Sequence, residues 1–127
     1  MDAKPAKPRE GHVVLIVEDE ALVRLRGAEL LVEAGFEVLE AGNAAEALRI
    51  LEATPAVRVV FTDVEMPGSL DGLGLAGRVG QRWPGIGIVL TSGHRLRAET
   101  IPREGKFLPK PYSGPVLVRH IKEIVNQ

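Results

Sequence analysis

VVFTDVEMPG, residues 59–68, joins a short apolar run to an aspartate and then to a break in the chain. The apolar residues 59–61 are typical of a strand that is buried on both faces of a parallel sheet. Asp63 follows that run, and Pro67 and Gly68 interrupt the chain shortly afterwards. An aspartate at the carboxyl end of a central parallel strand points into the crevice where α/β sheets bind ligands. Asp63 is therefore a candidate site residue, although an aspartate in this position can also simply cap a turn.

Length and composition limit the kinds of protein that this chain can be. Its 127 residues suit one domain with one core. The 16 Lys and Arg residues balance the 17 Asp and Glu residues, so the charge favours neither a nucleic-acid nor a membrane partner. Cysteine is absent, which excludes disulfides and thiolate chemistry, and no apolar run approaches the roughly 20 residues of a membrane span. We expect a cytoplasmic protein with a disordered tail at residues 1–10 and one domain at residues 11–127.

On both sides of Asp63, strand-like apolar runs alternate with helical patterns. The strand-like runs are residues 12–17, 37–41, 59–61, 86–90 and 106–108. The helical patterns are residues 23–34, 43–52, 71–83 and 113–124, with Asn43 and Ser113 as N-caps. A weaker segment at residues 94–105 contains Pro102, which limits any helix there to a turn or two. This alternation predicts a doubly wound α/β fold with a five-stranded parallel sheet.

Polar residues follow four of these apolar runs. Glu18 and Asp19 follow the first, Asp63 the third, Ser92 the fourth and Lys110 the fifth. In a parallel sheet these side chains meet in one crevice, where two carboxylates 4 Å apart repel by about 4 kcal/mol at an effective dielectric near 20. A cation has to compensate this repulsion, and an all-oxygen set of ligands suits Mg²⁺. Acids also favour a helix N-terminus, but that does not explain two of them at the end of the strand itself.

Several motifs resemble those of the receiver domain of two-component response regulators. They are VLIVEDE, FTDVEMPG followed by LDG, TSG after the fourth strand, and KPY. The resemblance covers residues 13–125 and implies a flavodoxin-like fold, with sheet order 2-1-3-4-5 and five flanking helices. One departure is the loop MPGSLDG, which carries one residue more than the commonest family pattern.

The resemblance also implies roles for the acidic residues. Asp63 would accept a phosphoryl group, Asp19 would be a direct Mg²⁺ ligand, and Glu18 would act largely through water. Glu65, two residues after Asp63, would give its backbone carbonyl to the metal. A carboxylate nucleophile that attacks phosphorus gives an aspartyl phosphate, which is an established kind of covalent intermediate.

The remaining motifs imply a switch. Ser92 would be the switch hydroxyl, and Lys110 would hold the phosphoryl oxygens. The Lys110-Pro111 bond is expected to be cis, as is usual in the family. Phe107 occupies the position of the aromatic residue that follows the switch hydroxyl inward, although it fits a plain core position equally well.

The function implied is a phosphoryl-accepting signalling switch rather than an enzyme in its own right, with a histidine kinase or histidine phosphotransfer protein as donor. We expect a stand-alone receiver, because no effector domain follows Gln127, and a monomer or weak homodimer. The alternatives are a receiver cut from a hybrid histidine kinase and a haloacid-dehalogenase-like phosphatase. That phosphatase family needs a second aspartate at position 21, where this chain has Ala21.

The first helix carries apolar residues beyond its core stripe. Leu22 and Leu25 come one or two turns after Asp19, at the rim of the predicted acidic crevice. Apolar residues at such a rim suit the docking of a donor's helix. The alternative is that single exposed leucines carry no function.

Overall fold

Strands and helices alternate along the chain, as the sequence predicts. The computed structural model describes residues 12–94, 96, 101 and 105–126. The strands are β1 (Val13–Val17), β2 (Glu37–Ala41), β3 (Val57–Asp63), β4 (Gly87–Ser92) and β5 (Lys106–Pro109). The helices are α1 (Ala21–Glu33), α2 (Ala44–Ala53), α3 (Gly72–Arg82) and α4 (Gly114–Val125). The further helix expected between β4 and β5 falls on residues 94–105, most of which lie outside the described residues.

All strand pairs are parallel, and the sheet order is β2-β1-β3-β4-β5. This confirms the predicted fold class and strand order. Helices that cover both faces of the sheet create two apolar clusters. One cluster contains Leu15, Val60 and Leu90, and the other contains their chain neighbours Val14 and Val59. Because alternate residues of one strand enter opposite clusters, the middle of each central strand is a continuous apolar run, as predicted.

Two predicted helix caps are confirmed. The Asn43 side chain accepts a hydrogen bond of 2.8 Å from the Glu46 N–H, and the Glu46 carboxylate accepts one of 2.7 Å from the Gly42 N–H. Glu46 thus bonds back to the N–H of Gly42, the residue before the N-cap, and not to the N–H of Asn43. At α4, the Ser113 hydroxyl accepts from the Val116 N–H at 3.2 Å. A lost cap of this kind costs about 1 kcal/mol.

The start of α3 lies against the end of β3. Asp71 caps this helix, since its carboxylate accepts from the Gly74 N–H at 2.9 Å. The Gly72 N–H donates to the Val64 carbonyl at 3.0 Å. Between β3 and α3 the chain turns at Gly68, whose φ of 110° is a conformation that favours glycine. This turn and cap fix the distance between Asp63 and the helix that follows it.

Several strand ends differ from the sequence prediction by one or two residues. β3 begins two residues earlier, at Val57, and β4 continues through Ser92. Parallel pairing explains the second difference, because Ser92 pairs with Pro109 of β5 and remains in the ladder. Hydrogen-bonded neighbours, rather than apolar composition, therefore decide where these strands end. In the part of the chain described here, no helix is both long and apolar enough to cross a membrane.

Candidate functional site

Three carboxylates meet at the carboxyl end of the sheet. Glu18 follows β1, Asp63 ends β3, and these two strands are neighbours, so the ends of both lie together. One oxygen from each of Glu18, Asp19 and Asp63 lies within 4.8 Å of the others. Glu18 and Asp63 are buried, with 3% and 4% exposure, whereas Asp19 is exposed. The cluster therefore has two buried carboxylates and one side that is open to solvent.

Lys110 lies beside this cluster. Its Nζ is 2.9 Å from Asp63 Oδ2 and 3.3 Å from Glu18 Oε1. The Lys110 N–H donates to the Ser92 carbonyl at 2.9 Å, which holds the residue in place. The Lys110-Pro111 bond is cis, as expected. Burial by itself lowers the pKa of Lys110, but the hydrogen bond to Asp63 and the charges of Asp63 and Glu18 raise it above the ordinary value. The ammonium group stays charged at neutral pH.

Ser92 is buried at the end of β4, with 1% exposure. Its hydroxyl donates to Glu65 Oε2 at 2.5 Å and accepts from the His94 N–H at 2.9 Å. Glu65 also contacts the neighbouring aspartate, because its backbone N–H donates to Asp63 Oδ1 at 3.2 Å. The resemblance assigned only a backbone role to Glu65, so the contact of its side chain with Ser92 was missed. No sequence signal could have found it, since it depends on a rotamer and on the path of the loop.

The predicted site residues thus come together in one crevice. The members are Glu18, Asp19, Asp63, Glu65, Ser92 and Lys110. Phe107 is half-buried and packs on the apolar cluster that contains its strand partner Leu90. That position is compatible with both interpretations of Phe107.

Tyr112 is a neighbour of the site that the sequence did not single out, although it is part of the KPY motif. Its ring meets Phe61 edge-on, with the ring centroids 5.5 Å apart. Burial and then the negative charge of Glu18 raise the pKa of Tyr112, so its phenol remains neutral. Tyr112 thus lines a small cavity together with Glu18 and Asp63.

The donor set fits a hard divalent cation. Carboxylate oxygens, with one side left open for water, are what Mg²⁺ typically takes in proteins. Lys110 supplies one positive charge against the three carboxylates of the cluster. A divalent cation would supply the charge that the protein itself does not.

Metal-free protein should show the cost of burying Glu18. Burial raises the pKa of Glu18 from 4.5 to about 7, opposed by the hydrogen bond from the Glu20 N–H, reinforced by Asp63 and opposed by Lys110. Because the pKa of Glu18 is higher in the folded state than in the unfolded state, protonation of Glu18 favours folding. This contribution to the free energy of unfolding is complete below pH 4.5 and is lost as the pH rises through about 7. Between these values the folded state holds more protons than the unfolded state.

We expect Glu18→Gln to remove this pH dependence. In EDTA, the free energy of unfolding of the wild type should fall between about pH 5 and pH 8, and that of the variant should fall by about 1 kcal/mol less. Urea denaturation at both pH values measures the difference. The control is Glu52→Gln, at an exposed carboxylate paired with Arg82, which should keep the wild-type slope. An identical change in the free energy of unfolding with pH for Glu18→Gln and the wild type would contradict the raised pKa of Glu18.

Comparison with known proteins gives a family. A sequence model of the family described as response regulator receiver domain matches residues 14–122. The sensor kinase CckA of Brucella abortus is 37% identical over 119 residues, which cover 90% of this chain and 12% of that protein. The transcriptional regulatory protein PdtaR of Mycobacterium tuberculosis is 36% identical over 130 residues, covering 99% of this chain and 61% of that protein. The chain therefore spans only part of the length of these relatives.

Solved structures give the same result. A response regulator receiver protein from Sinorhizobium medicae superimposes with a TM-score of 0.84 at 28% identity, covering 90% of this chain and 94% of that one. The receiver domain of the hybrid histidine kinase CckA superimposes with a TM-score of 0.77 at 33% identity, covering 89% and 98%. With its five-stranded sheet, its carboxylate cluster and the match over residues 14–122, the chain belongs to the response regulator receiver domain family.

Proposed function

We propose that this chain accepts a phosphoryl group on Asp63 in a Mg²⁺-dependent reaction and thereby switches a signalling surface. The observation that carries the proposal is the position of Asp63. Its buried carboxylate lies 2.9 Å from the Lys110 ammonium and within the cluster of three acids. A nucleophilic oxygen, a fixed cation and an oxygen-rich metal site are the parts that phosphoryl transfer needs.

In the proposed reaction an Asp63 carboxylate oxygen attacks the phosphorus of a phosphohistidine. The new P–O bond forms as the P–N bond breaks, and the imidazole nitrogen keeps the electron pair. Lys110, whose Nζ lies 2.9 Å from Asp63 Oδ2, would contact the phosphoryl oxygens, where negative charge accumulates in the transition state. Asp19, Asp63 and the Glu65 carbonyl would hold Mg²⁺, and Glu18 would contribute through water. The bound ion would supply positive charge to the same oxygens. The switch would follow when Ser92 donates to the bound phosphoryl group.

A direct test is incubation with acetyl phosphate and Mg²⁺ followed by intact mass spectrometry. We expect one phosphoryl group per chain and none in EDTA. A haloacid-dehalogenase-like phosphatase would instead turn over phosphate monoesters. Repeated release of phosphate from a monoester, with no retained phosphoryl group, would therefore count against the proposal.

The relatives support two kinds of biological context. One is a transcriptional regulatory protein and another is a sensor kinase. We propose a histidine kinase or a histidine phosphotransfer protein as donor, and a stand-alone switch as the leading context. In a hybrid-kinase context the phosphoryl group would instead move on to another histidine. Rapid return of the group from Asp63 to a histidine phosphotransfer protein would favour the hybrid context.

We place the docking surface for the donor's helix on the amino-terminal half of α1. Leu22 is 81% exposed and Leu25 is 47% exposed, as expected from the sequence. A groove of about 490 Å³ runs beside the same helix, is lined by Val23 and Tyr112 among others, and includes Lys110. A helix seated on these leucines would bring a histidine to the crevice and bury apolar surface as it binds.

Leu22→Ser combined with Leu25→Ser should slow transfer from the phosphohistidine donor by about tenfold, because two apolar contacts are lost. Labelling by acetyl phosphate should keep its rate, since a small donor needs no docking surface. The matched control is Val32→Ser, at a residue of the same helix that is 58% exposed near its far end, and both of its rates should match the wild type. Unchanged transfer in the double variant would remove this surface from the proposal.

A further inference from the structure

Glu65 connects the proposed acceptor with the proposed switch. Its backbone N–H donates to Asp63 Oδ1 at 3.2 Å, and its carboxylate accepts the hydrogen of the Ser92 hydroxyl at 2.5 Å. The hydroxyl oxygen in turn accepts from the His94 N–H. A serine has a single O–H donor, so the hydroxyl can serve only one acceptor of this kind at a time.

We propose that Glu65 is a positioning residue that holds the Ser92 hydroxyl in the unphosphorylated arrangement and competes with the phosphoryl group for its hydrogen. The inference rests on the proposed function, since it needs a phosphoryl group on Asp63 as the competing acceptor. In this scheme the side chain of Glu65 sets how readily the switch occurs.

Burial makes this competition a direct exchange between two acceptors. Ser92 is 1% exposed, so water cannot replace a lost partner at its hydroxyl, and an unpaired buried hydroxyl is costly. Glu65 is an exposed residue, so its carboxylate can be hydrated once it is released. Both bonds are charge-assisted and therefore stronger than neutral ones. The hydroxyl thus passes from one anionic acceptor to the other, and weakening the first favours the second.

Substitution of the side chain isolates this effect, because the backbone N–H and carbonyl of residue 65 remain. The probe is the beryllium trifluoride anion, a phosphoryl mimic, titrated with Mg²⁺ and followed by amide chemical shifts. Glu65→Ala should bind the mimic about tenfold more tightly than the wild type, because the competing acceptor is gone. Glu65→Gln, whose amide oxygen accepts a neutral hydrogen bond, should gain about threefold.

Removing a negative charge beside an anion site could also tighten binding through space. A double-mutant cycle with Ser92→Ala separates the two causes, because Glu65 then has no hydroxyl to hold. We expect the tenfold effect of Glu65→Ala to vanish in the Ser92→Ala background. An equal gain in both backgrounds, or no gain in the wild-type background, would overturn the inference while the proposed function stands. Failure of the wild type to bind the mimic at all would overturn both.

Discussion

Asp63→Asn is expected to abolish Mg²⁺-dependent phosphoryl labelling of the chain by acetyl phosphate. The substitution keeps the shape of the side chain, and its amide oxygen can still accept from the Glu65 N–H, which lies 3.2 Å from Oδ1 in the wild type. It removes the anionic nucleophile and the charge that pairs with Lys110 at 2.9 Å. An amide oxygen is a far weaker nucleophile than a carboxylate, so the expected loss is essentially complete.

Two further variants make this result specific. Asp19→Ala should retain the nucleophile but label far more slowly, because it removes the exposed member of the carboxylate cluster. Asp71→Asn serves as the matched control, since this carboxylate caps α3 and asparagine caps helices equally well. Asp71→Asn should label at the wild-type rate. Full Mg²⁺-dependent labelling of Asp63→Asn, read by intact mass, would show that another residue is the acceptor.

Much of the site was predictable because parallel topology converts sequence position into spatial position. A residue that follows an apolar run lies at the carboxyl edge of the sheet, so the acids after β1 and β3 had to be neighbours once these strands were neighbours. The same logic placed Lys110 after β5, and the cap signals of α2 and α4 were local enough to be recognised. These predictions needed the periodicity of the sequence and the strand order that the resemblance implied.

Other features depend on conformations that the pattern of residues does not specify. The bond between Glu65 and Ser92 joins residues 27 positions apart and needs one rotamer of an exposed side chain. The packing of Gly72 behind Asp63 follows from the turn through Gly68, in the loop that is one residue longer than the commonest pattern. The sequence does not reveal this contact, because a glycine in a helical segment shows only a lower helix propensity than alanine. It does not show whether another backbone packs against that glycine.

The close contact of Gly72 with the backbone at the end of β3 predicts a large loss of stability when this glycine is replaced. A Cβ built on Gly72 would clash with the Asp63 carbonyl oxygen and would lie 2.7 Å from the Val64 Cα. Both neighbours are backbone atoms of β3 and the residue after it, so they cannot move aside as the end of a flexible side chain can. We expect Gly72→Ala to lower the free energy of unfolding by about 3 kcal/mol, at the upper end of overpacking costs.

Gly77→Ala, in the same helix, is the matched control. A Cβ at Gly77 has no neighbour within 4 Å, and alanine favours the helix over glycine by about 1 kcal/mol, so this variant should be slightly more stable than the wild type. Urea unfolding followed by the fluorescence of Trp83, the only tryptophan, measures both. Gly72→Ala should also label more slowly with acetyl phosphate, because relief of the clash has to displace the end of β3 that carries Asp63. If both variants prove equally stable, the close approach of α3 to β3 does not constrain the site.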